Sequence, residues 1–211
     1  MYTQTSTEFL PSVIRTFALS LAIAFLGTMA GVFVPDSLFM PLAILEFVML
    51  MIAFFFRRKK AISYSFLYLF TFISGITLFP IVAYYTAAAG ANVVVMAFAS
   101  TTVVFTGVAI YATKSKQNFS FLGGFLLAAL LALVVISIYN IFFPLGSTAM
   151  LAFSIIGVIV FSGYVLFDFS RMKHYGVRPE EVPLMALNLY LNFINLFVSI
   201  LRIFGILSSK D

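Results

Sequence analysis

The sequence predicts an all-α integral membrane protein with seven transmembrane helices. Hydrophobic residues make up 63% of the 211-residue chain and charged residues only 9%, against about 25% charged in a soluble domain, which excludes a soluble globule. The apolar residues form seven runs of roughly 20 residues, the length that crosses a hydrocarbon layer of about 30 Å. Runs this long predict helices, because a membrane β-barrel would show alternating strands of about ten residues.

The predicted spans follow one another with short connectors, so we expect one transmembrane domain over residues 1–211. In chain order, the spans cover residues 16–34, 38–56, 61–84, 91–113, 119–143, 148–168 and 184–207. Each span ends where turn-forming or basic residues begin, in connectors 35–37, 57–60, 85–90, 114–118, 144–147 and 169–183. The first run is longer than the apolar part of a typical signal peptide and lacks a convincing cleavage site, which favours a retained span.

Basic residues predict the orientation of the chain in the membrane. They concentrate in alternate connectors, at residues 57–60, 114–118 and 169–183, and the connectors between these carry none. Because basic short loops stay on the cytoplasmic side, we expect a cytoplasmic N-terminus and an extracellular C-terminus. The net charge of +5 lies largely in these gaps between apolar runs, a pattern that favours the lipid bilayer as the partner and argues against nucleic acid.

Several chemistries lack their residues in this sequence. Cysteine is absent, and every lysine falls in a predicted loop or tail, which excludes thiolate sites and disfavours a retinal Schiff base. The one histidine, His174, lies in a predicted loop, and there is no Gly-x-Ser-x-Gly elbow, His-Glu-x-x-His helix, P-loop or EF-hand. Asp168 is the only aspartate in a span, which disfavours an intramembrane aspartyl protease. We therefore expect neither enzyme activity nor a resident cofactor.

Ionisable residues inside the spans are candidate functional residues, because charge at membrane depth is costly. Glu46 and Arg57 are eleven residues apart on the second helix, which places them on one face and roughly 16 Å apart along it. Glu46 is compatible with an ion path or with a protonated acid making an interhelical hydrogen bond. Arg57 is compatible with a carboxylate partner or with an anchor that reaches the membrane surface.

Asp168 is predicted to lie in the last turn of the sixth helix. The helix dipole disfavours a carboxylate there, so we expect a nearby cation or a shared proton. The alternative is an exposed interfacial aspartate that Arg171 compensates.

The seventh span carries a polar stripe along one helical face. Its members, spaced at three or four residues, are Asn188, Asn192, Asn195, Ser199 and Arg202. The stripe indicates either hydrogen bonds that pack this helix among the others or a face that lines a water-filled route. Asn192 lies about two turns inside the cytoplasmic start of the helix, near the level where Asp168 could reach it.

Three segments resemble the transmembrane Bax inhibitor motif family. They are SGITLFP at residues 74–80, YVLFD at 164–168 ahead of Lys173 and His174, and ALNLYLNFINLF at 186–197. The resemblance extends over essentially the whole chain. It implies six helices around a central seventh, and a pH-sensitive calcium leak channel in the bacterial plasma membrane, with calcium as the permeant ion and protons as the signal.

The resemblance also implies roles for individual residues. In the family, two aspartates, one ending the sixth helix and one in the seventh, share a proton and sense pH, and an arginine from the second helix binds the pair. Asp168 matches the first aspartate, Arg57 resembles the arginine, and Glu46 resembles a buried glutamate of the family. Asn192 stands at the position of the second aspartate.

The amide at position 192 predicts pH gating that is weakened or shifted to acid pH. Two carboxylates in contact cannot both ionise easily, and an asparagine removes that repulsion. Because calcium prefers six to eight oxygen ligands, we expect only weak, transient calcium binding at Asp168 and Asn192. Glu46, Asn188 and Asn195 are predicted to line the ion pathway.

Two other classes of function stay open at this point. One is a proton-coupled secondary transporter with Glu46 and Asp168 as carriers. The other is a membrane regulator without transport activity that binds other membrane proteins, as the resemblance to eukaryotic members allows. We expect the protein itself to be a monomer.

Overall fold

The computed structural model describes residues 10–56 and 62–208, and it confirms the prediction of an all-α protein with seven spans. No strand occurs among these residues. The helices are α1 Leu10–Gly31, α2 Asp36–Phe56, α3 Tyr64–Ala89, α4 Ala91–Lys114, α5 Gly123–Phe142, α6 Ser147–Tyr175 and α7 Val182–Ser208. Within the described ranges, seven helical segments are long and apolar enough to cross a membrane.

The described chain forms two compact units. One unit contains the chain up to Ala83 together with Tyr175–Tyr190, and the other contains Tyr84–His174 together with the chain from Leu191 onward. α7 contributes to both units. The single domain over residues 1–211 and the orientation in the membrane stay predictions.

α3 is longer than its predicted span. It continues to Ala89 through most of the predicted connector at residues 85–90, because the alanines at its end favour helix. Gly90 alone separates α3 from α4, and its φ of 87° is a left-handed conformation that glycine adopts without steric cost. Hydropathy therefore located the break correctly but placed the end of the helix too early.

α6 also extends beyond its prediction, and the predicted loop at residues 169–183 is wrong over its first seven positions. The helix reaches Tyr175 because Phe169, Ser170 and Met172 are buried and continue its packed face. Gly176, with φ of 74°, follows the helix end. Asp168 thus lies about two turns before the end of α6 rather than in its last turn, and the argument from the helix dipole does not apply to it.

α7 is the most enclosed helix of the seven. In its most apolar stretch 61% of the residues are buried, whereas the other six helices range from 11% to 39%. The arrangement of six helices around a central seventh stays a prediction. The large exposed apolar side chains on the other helices suit contact with lipid, as in Phe55 of α2 and Phe142 of α5.

In the first unit, α1 and α3 approach each other through small residues. The Thr28 hydroxyl donates to the Gly75 carbonyl oxygen at 3.0 Å. A Cβ added at Gly75 would overlap the backbone of Ala24, and one added at Gly27 would overlap the backbone of Phe72. Glycine at these positions therefore allows direct contact between the two helix backbones.

Candidate functional site

A buried carboxylate and a buried amide meet in the second unit. Asp168 of α6 is 5% exposed and Asn192 of α7 is 7% exposed. The Nδ2 of Asn192 donates a hydrogen bond of 2.7 Å to the Oδ2 of Asp168. The proximity of these residues, predicted from their levels in the two helices, is confirmed.

Aromatic residues next to both partners fix the register of the helices. Phe169 follows Asp168, Phe193 follows Asn192, and both rings pack against Phe105 of α4. The ring centroids lie 6.0 Å apart for Phe105 and Phe169 and 5.4 Å apart for Phe105 and Phe193, in edge-to-face geometry. These ring contacts pack α4, α6 and α7 together beside the Asp168–Asn192 pair.

The environment of Asp168 excludes one of the two alternatives that the sequence left open, and the expected cation or shared proton stays a prediction. An exposed aspartate compensated by Arg171 is wrong, because the Asp168 side chain is buried while Arg171 is exposed. Arg171 and Tyr164, on the same helix, lie within electrostatic range of the carboxylate. Among the described residues, Asp168 therefore has one direct hydrogen-bond donor, Asn192, and two more distant electrostatic neighbours, Tyr164 and Arg171.

The pair offers few ligands for a cation. Among the described residues, no group of three or more histidine or acidic side chains is arranged to hold a metal ion. The Asn192 amide turns its N–H toward the Oδ2 of Asp168, so a calcium ion at this carboxylate would compete with the amide for that oxygen. Calcium binding at Asp168 and Asn192 therefore stays a prediction.

The polar stripe on α7 does not form a continuous buried row. Asn188 is half-buried, and Asn195 is exposed. The Asn195 Nδ2 donates to the Leu191 carbonyl oxygen of the same helix at 2.7 Å. Ser199 is buried, and its hydroxyl donates to the Asn195 carbonyl oxygen at 2.7 Å. Asn192 is thus the stripe's only asparagine that bonds a side chain of another helix in the described chain.

Glu46 belongs to the first unit, where it forms an interhelical hydrogen bond. Its Oε2 accepts from the hydroxyl of Thr77 on α3, and the same hydroxyl lies 3.0 Å from the Ser74 carbonyl oxygen. The buried hydroxyl of Tyr190 lies near Ser74 and Glu46, outside hydrogen-bonding geometry with any described group. Thr77 and Tyr190 were not among the candidate residues predicted from the sequence, although a hydroxyl in an apolar span was the available signal.

The predicted latch lies outside the described residues. Arg57 falls in the segment 57–61, so its contact with Asp168 stays a prediction.

The helices and the buried pair define the class of protein. It is a helical membrane protein with seven spans, in which a buried carboxylate accepts a hydrogen bond from a side-chain amide. The chain belongs to the family described as "Inhibitor of apoptosis-promoting Bax1", whose sequence pattern matches residues 6–209. The resemblance found in the sequence is thereby confirmed.

Relatives occur in bacteria and eukaryotes. An uncharacterized membrane protein of Vibrio cholerae is 39% identical over 199 residues, which cover 90% of this chain and 84% of that protein. Bax inhibitor 1 of Schizosaccharomyces pombe is 38% identical over 149 residues, 71% of this chain and 54% of the relative. Protein LIFEGUARD 4 of Arabidopsis thaliana is 32% identical over 196 residues, covering 89% and 74% respectively.

Proposed function

We propose that this protein is a calcium-permeable leak channel of the bacterial plasma membrane whose pH gating is weaker than that of a channel with two sensor aspartates. The hydrogen bond between Asn192 and Asp168 is the observation that carries the proposal. The pair places one buried carboxylate, that of Asp168, on the proposed route. In its ionised form this carboxylate attracts a divalent cation.

Weak ligation supports transit of calcium rather than its retention. Asp168 provides two carboxylate oxygens, and the neighbouring amide competes with the ion for one of them. Backbone and water oxygens would have to complete the coordination of calcium. A site of this kind releases the ion readily, as conduction requires.

The reduced pH response follows from the single carboxylate. With aspartate at both positions, a shared proton would relieve their repulsion, and loss of that proton would change the charge of the pair. The Asn192 amide carries no charge at any pH, and it donates to Asp168 without a proton exchange. Protonation of Asp168, next to Arg171 and Tyr164, is the remaining pH-dependent step at this pair.

A second candidate is a regulator that acts through protein partners, without transport. The names of relatives such as Bax inhibitor 1 of Schizosaccharomyces pombe favour it. A purified regulator of this class would give no calcium flux and would retain a membrane-protein partner during isolation. A proton-coupled transporter would instead show saturable uptake that depends on a proton gradient.

Calcium entry into dye-loaded liposomes from pH 5 to 8 tests the proposal. The unmodified chain is expected to show a weak dependence on pH that reflects Asp168 alone, and Asn192→Asp is expected to strengthen that dependence clearly. Asp168→Asn should lower the flux, because it removes the charge while keeping the size of the side chain. Ser208→Asp is the control, since it adds a carboxylate at an exposed position at the end of the same helix, outside the predicted ion pathway.

Each result has a defined meaning. Identical flux–pH profiles for the unmodified chain and Asn192→Asp would contradict the account of the sensor pair. No flux from any variant, in liposomes that contain folded protein, would contradict the channel itself.

A further inference from the structure

A partly open cavity lies in the second unit beside the last turns of α7. Its volume is about 280 Å³, and it lies among α5, the start of α6 and α7. Its lining is mixed: apolar side chains such as Ile136 and Met150 stand beside Ser137, Asn140 and Arg202. The proposed calcium route does not use these residues.

Arg202 brings to this cavity a positive charge that no described carboxylate neutralises. The side chain is half-buried, and no carboxylate among the described residues lies within ion-pair distance of it. The ring centroid of Phe153 is 5.9 Å from the guanidinium carbon, and Tyr85 also lies within electrostatic range of Arg202. At that distance, the cation–π interaction offsets only part of the cost of removing an arginine from water. The guanidinium therefore offers hydrogen-bond donors to a ligand.

Asn140 adds a second donor on the cavity wall. Its Oδ1 accepts a hydrogen bond of 2.8 Å from the backbone N–H of Leu145, which fixes the orientation of the amide. The Nδ2 group then has no acceptor in the described part of the chain. A planar cation and an amide N–H match the oxygens of a phosphate group.

The depth of the cavity suits the headgroup region of a membrane. Arg202 lies six residues before the end of α7, or roughly 9 Å along the helix axis. Asn140 lies two residues before the end of α5, and α6 begins at Ser147. The apolar wall and the donors thus meet near a membrane surface, where a lipid phosphate joins its acyl chains.

We propose that the cavity between α5, α6 and α7 binds a phosphate group through Arg202 and Asn140. The phosphate belongs to a phospholipid headgroup or to a free phosphate ester. The proposal does not depend on calcium conduction.

Native mass spectrometry of the full chain in detergent tests the proposal. Three probes are compared. Phosphatidylglycerol has both acyl chains and a phosphate. Diacylglycerol has similar chains without the phosphate, and glycerol phosphate has the phosphate without the chains. Phosphatidylglycerol or glycerol phosphate is expected to bind, and Arg202→Gln should weaken that binding about tenfold or more. Arg15→Gln is the matched control, because it removes an exposed arginine of the first unit.

The probes also identify the source of the phosphate. Binding of phosphatidylglycerol that glycerol phosphate does not displace assigns the site to lipid, and displacement assigns it to a free ester. Equal retention of diacylglycerol and phosphatidylglycerol, or equal binding by Arg202→Gln and the unmodified chain, would overturn the proposal. Absence of binding by every probe would overturn it as well.

A measurement on the unmodified chain covers the case in which Arg202→Gln does not fold. Phenylglyoxal modifies accessible arginines, and the modified peptides are read by mass. The probe that binds, phosphatidylglycerol or glycerol phosphate, should slow the modification of Arg202 at least several-fold. The rate of modification of Arg15 should not change. Modification of Arg202 at an unchanged rate with both probes would count against the site.

Discussion

The amide of Asn192 donates to the carboxylate of Asp168 at 2.7 Å and so joins α7 to α6 inside the membrane-spanning helices. Both residues are buried, and the aromatic residues that follow them pack against the same ring, that of Phe105. The pair is therefore a structural cross-link as well as the proposed site of ion contact. Removal of either side chain should lower the unfolding free energy, because it leaves the other polar group buried without its partner.

Substitutions to leucine at the two positions are expected to be non-additive. Asn192→Leu leaves a buried carboxylate without its donor and should cost about 3 kcal/mol of unfolding free energy. Asp168→Leu leaves an unpaired amide and should cost about 1–3 kcal/mol. The double variant should be more stable than the sum of the two losses predicts, because it leaves no polar group unpaired. Unfolding in detergent by denaturant measures the cycle, and strict additivity would show that the two groups are not coupled.

Gly75 is expected to be intolerant of a side chain. Gly75→Ala places a Cβ on the backbone of Ala24, so α1 and α3 must move apart, at a cost of about 1–3 kcal/mol. Gly107→Ala in α4 is the control, because no atom lies within 4 Å of its added Cβ. That change should be neutral or stabilising by about 0.5–1 kcal/mol, since alanine favours helix. Similar thermal stabilities for both variants would argue against the close crossing of α1 and α3.

Ser170 is expected to stabilise the connector that precedes α5. Its hydroxyl accepts a hydrogen bond of 2.9 Å from the backbone N–H of Phe119, so Ser170→Ala leaves that buried donor unpaired. The expected loss is about 1–3 kcal/mol.

Ser154→Ala is the control for this change, because Ser154 is equally buried in α6 and, in the described part of the chain, donates to the Met150 carbonyl of its own helix. Its loss should stay below that of Ser170→Ala, since the helix remains intact without this bond. Thermal unfolding compares the two. Equal losses would mean that the link to Phe119 contributes little.

The predicted orientation is testable with single cysteines, because the chain has none of its own. Gly146→Cys lies between α5 and α6, and Gln117→Cys lies after α4, both at exposed positions. A membrane-impermeant maleimide should label position 146 in intact cells and position 117 only after permeabilisation. The reverse pattern would invert the topology and move the cavity at Arg202 to the cytoplasmic side.

The helix ends show where sequence patterns stop being informative. Hydropathy marks where polar residues begin, but a helix ends where its backbone hydrogen bonds end, so α6 continues through polar residues to Tyr175. The glycines that follow or separate helices, Gly90 and Gly176, were visible in the sequence. Their positive φ values, which identify the true breaks, required the backbone.

The sequence predicted part of the candidate site but could not show which polar residues are buried. A carboxylate and an amide in apolar spans stand out in a sequence, because polar groups at membrane depth are costly. Asn192 and Asn195 occupy the same predicted face of α7, so the sequence could not show that Asn192 is buried and Asn195 exposed. Helical periodicity identifies a face but not what packs against it.

The sequence by itself determined the helical membrane class, the number of spans, the family, and the short set of polar residues within the spans. These properties follow from local composition and from residue patterns that need no knowledge of packing. Only the tertiary structure decided that Asn192 donates to Asp168, that Thr77 meets Glu46, and that Arg202 faces a cavity. Contacts of this kind join residues far apart in the chain, and the packing of whole helices places them together.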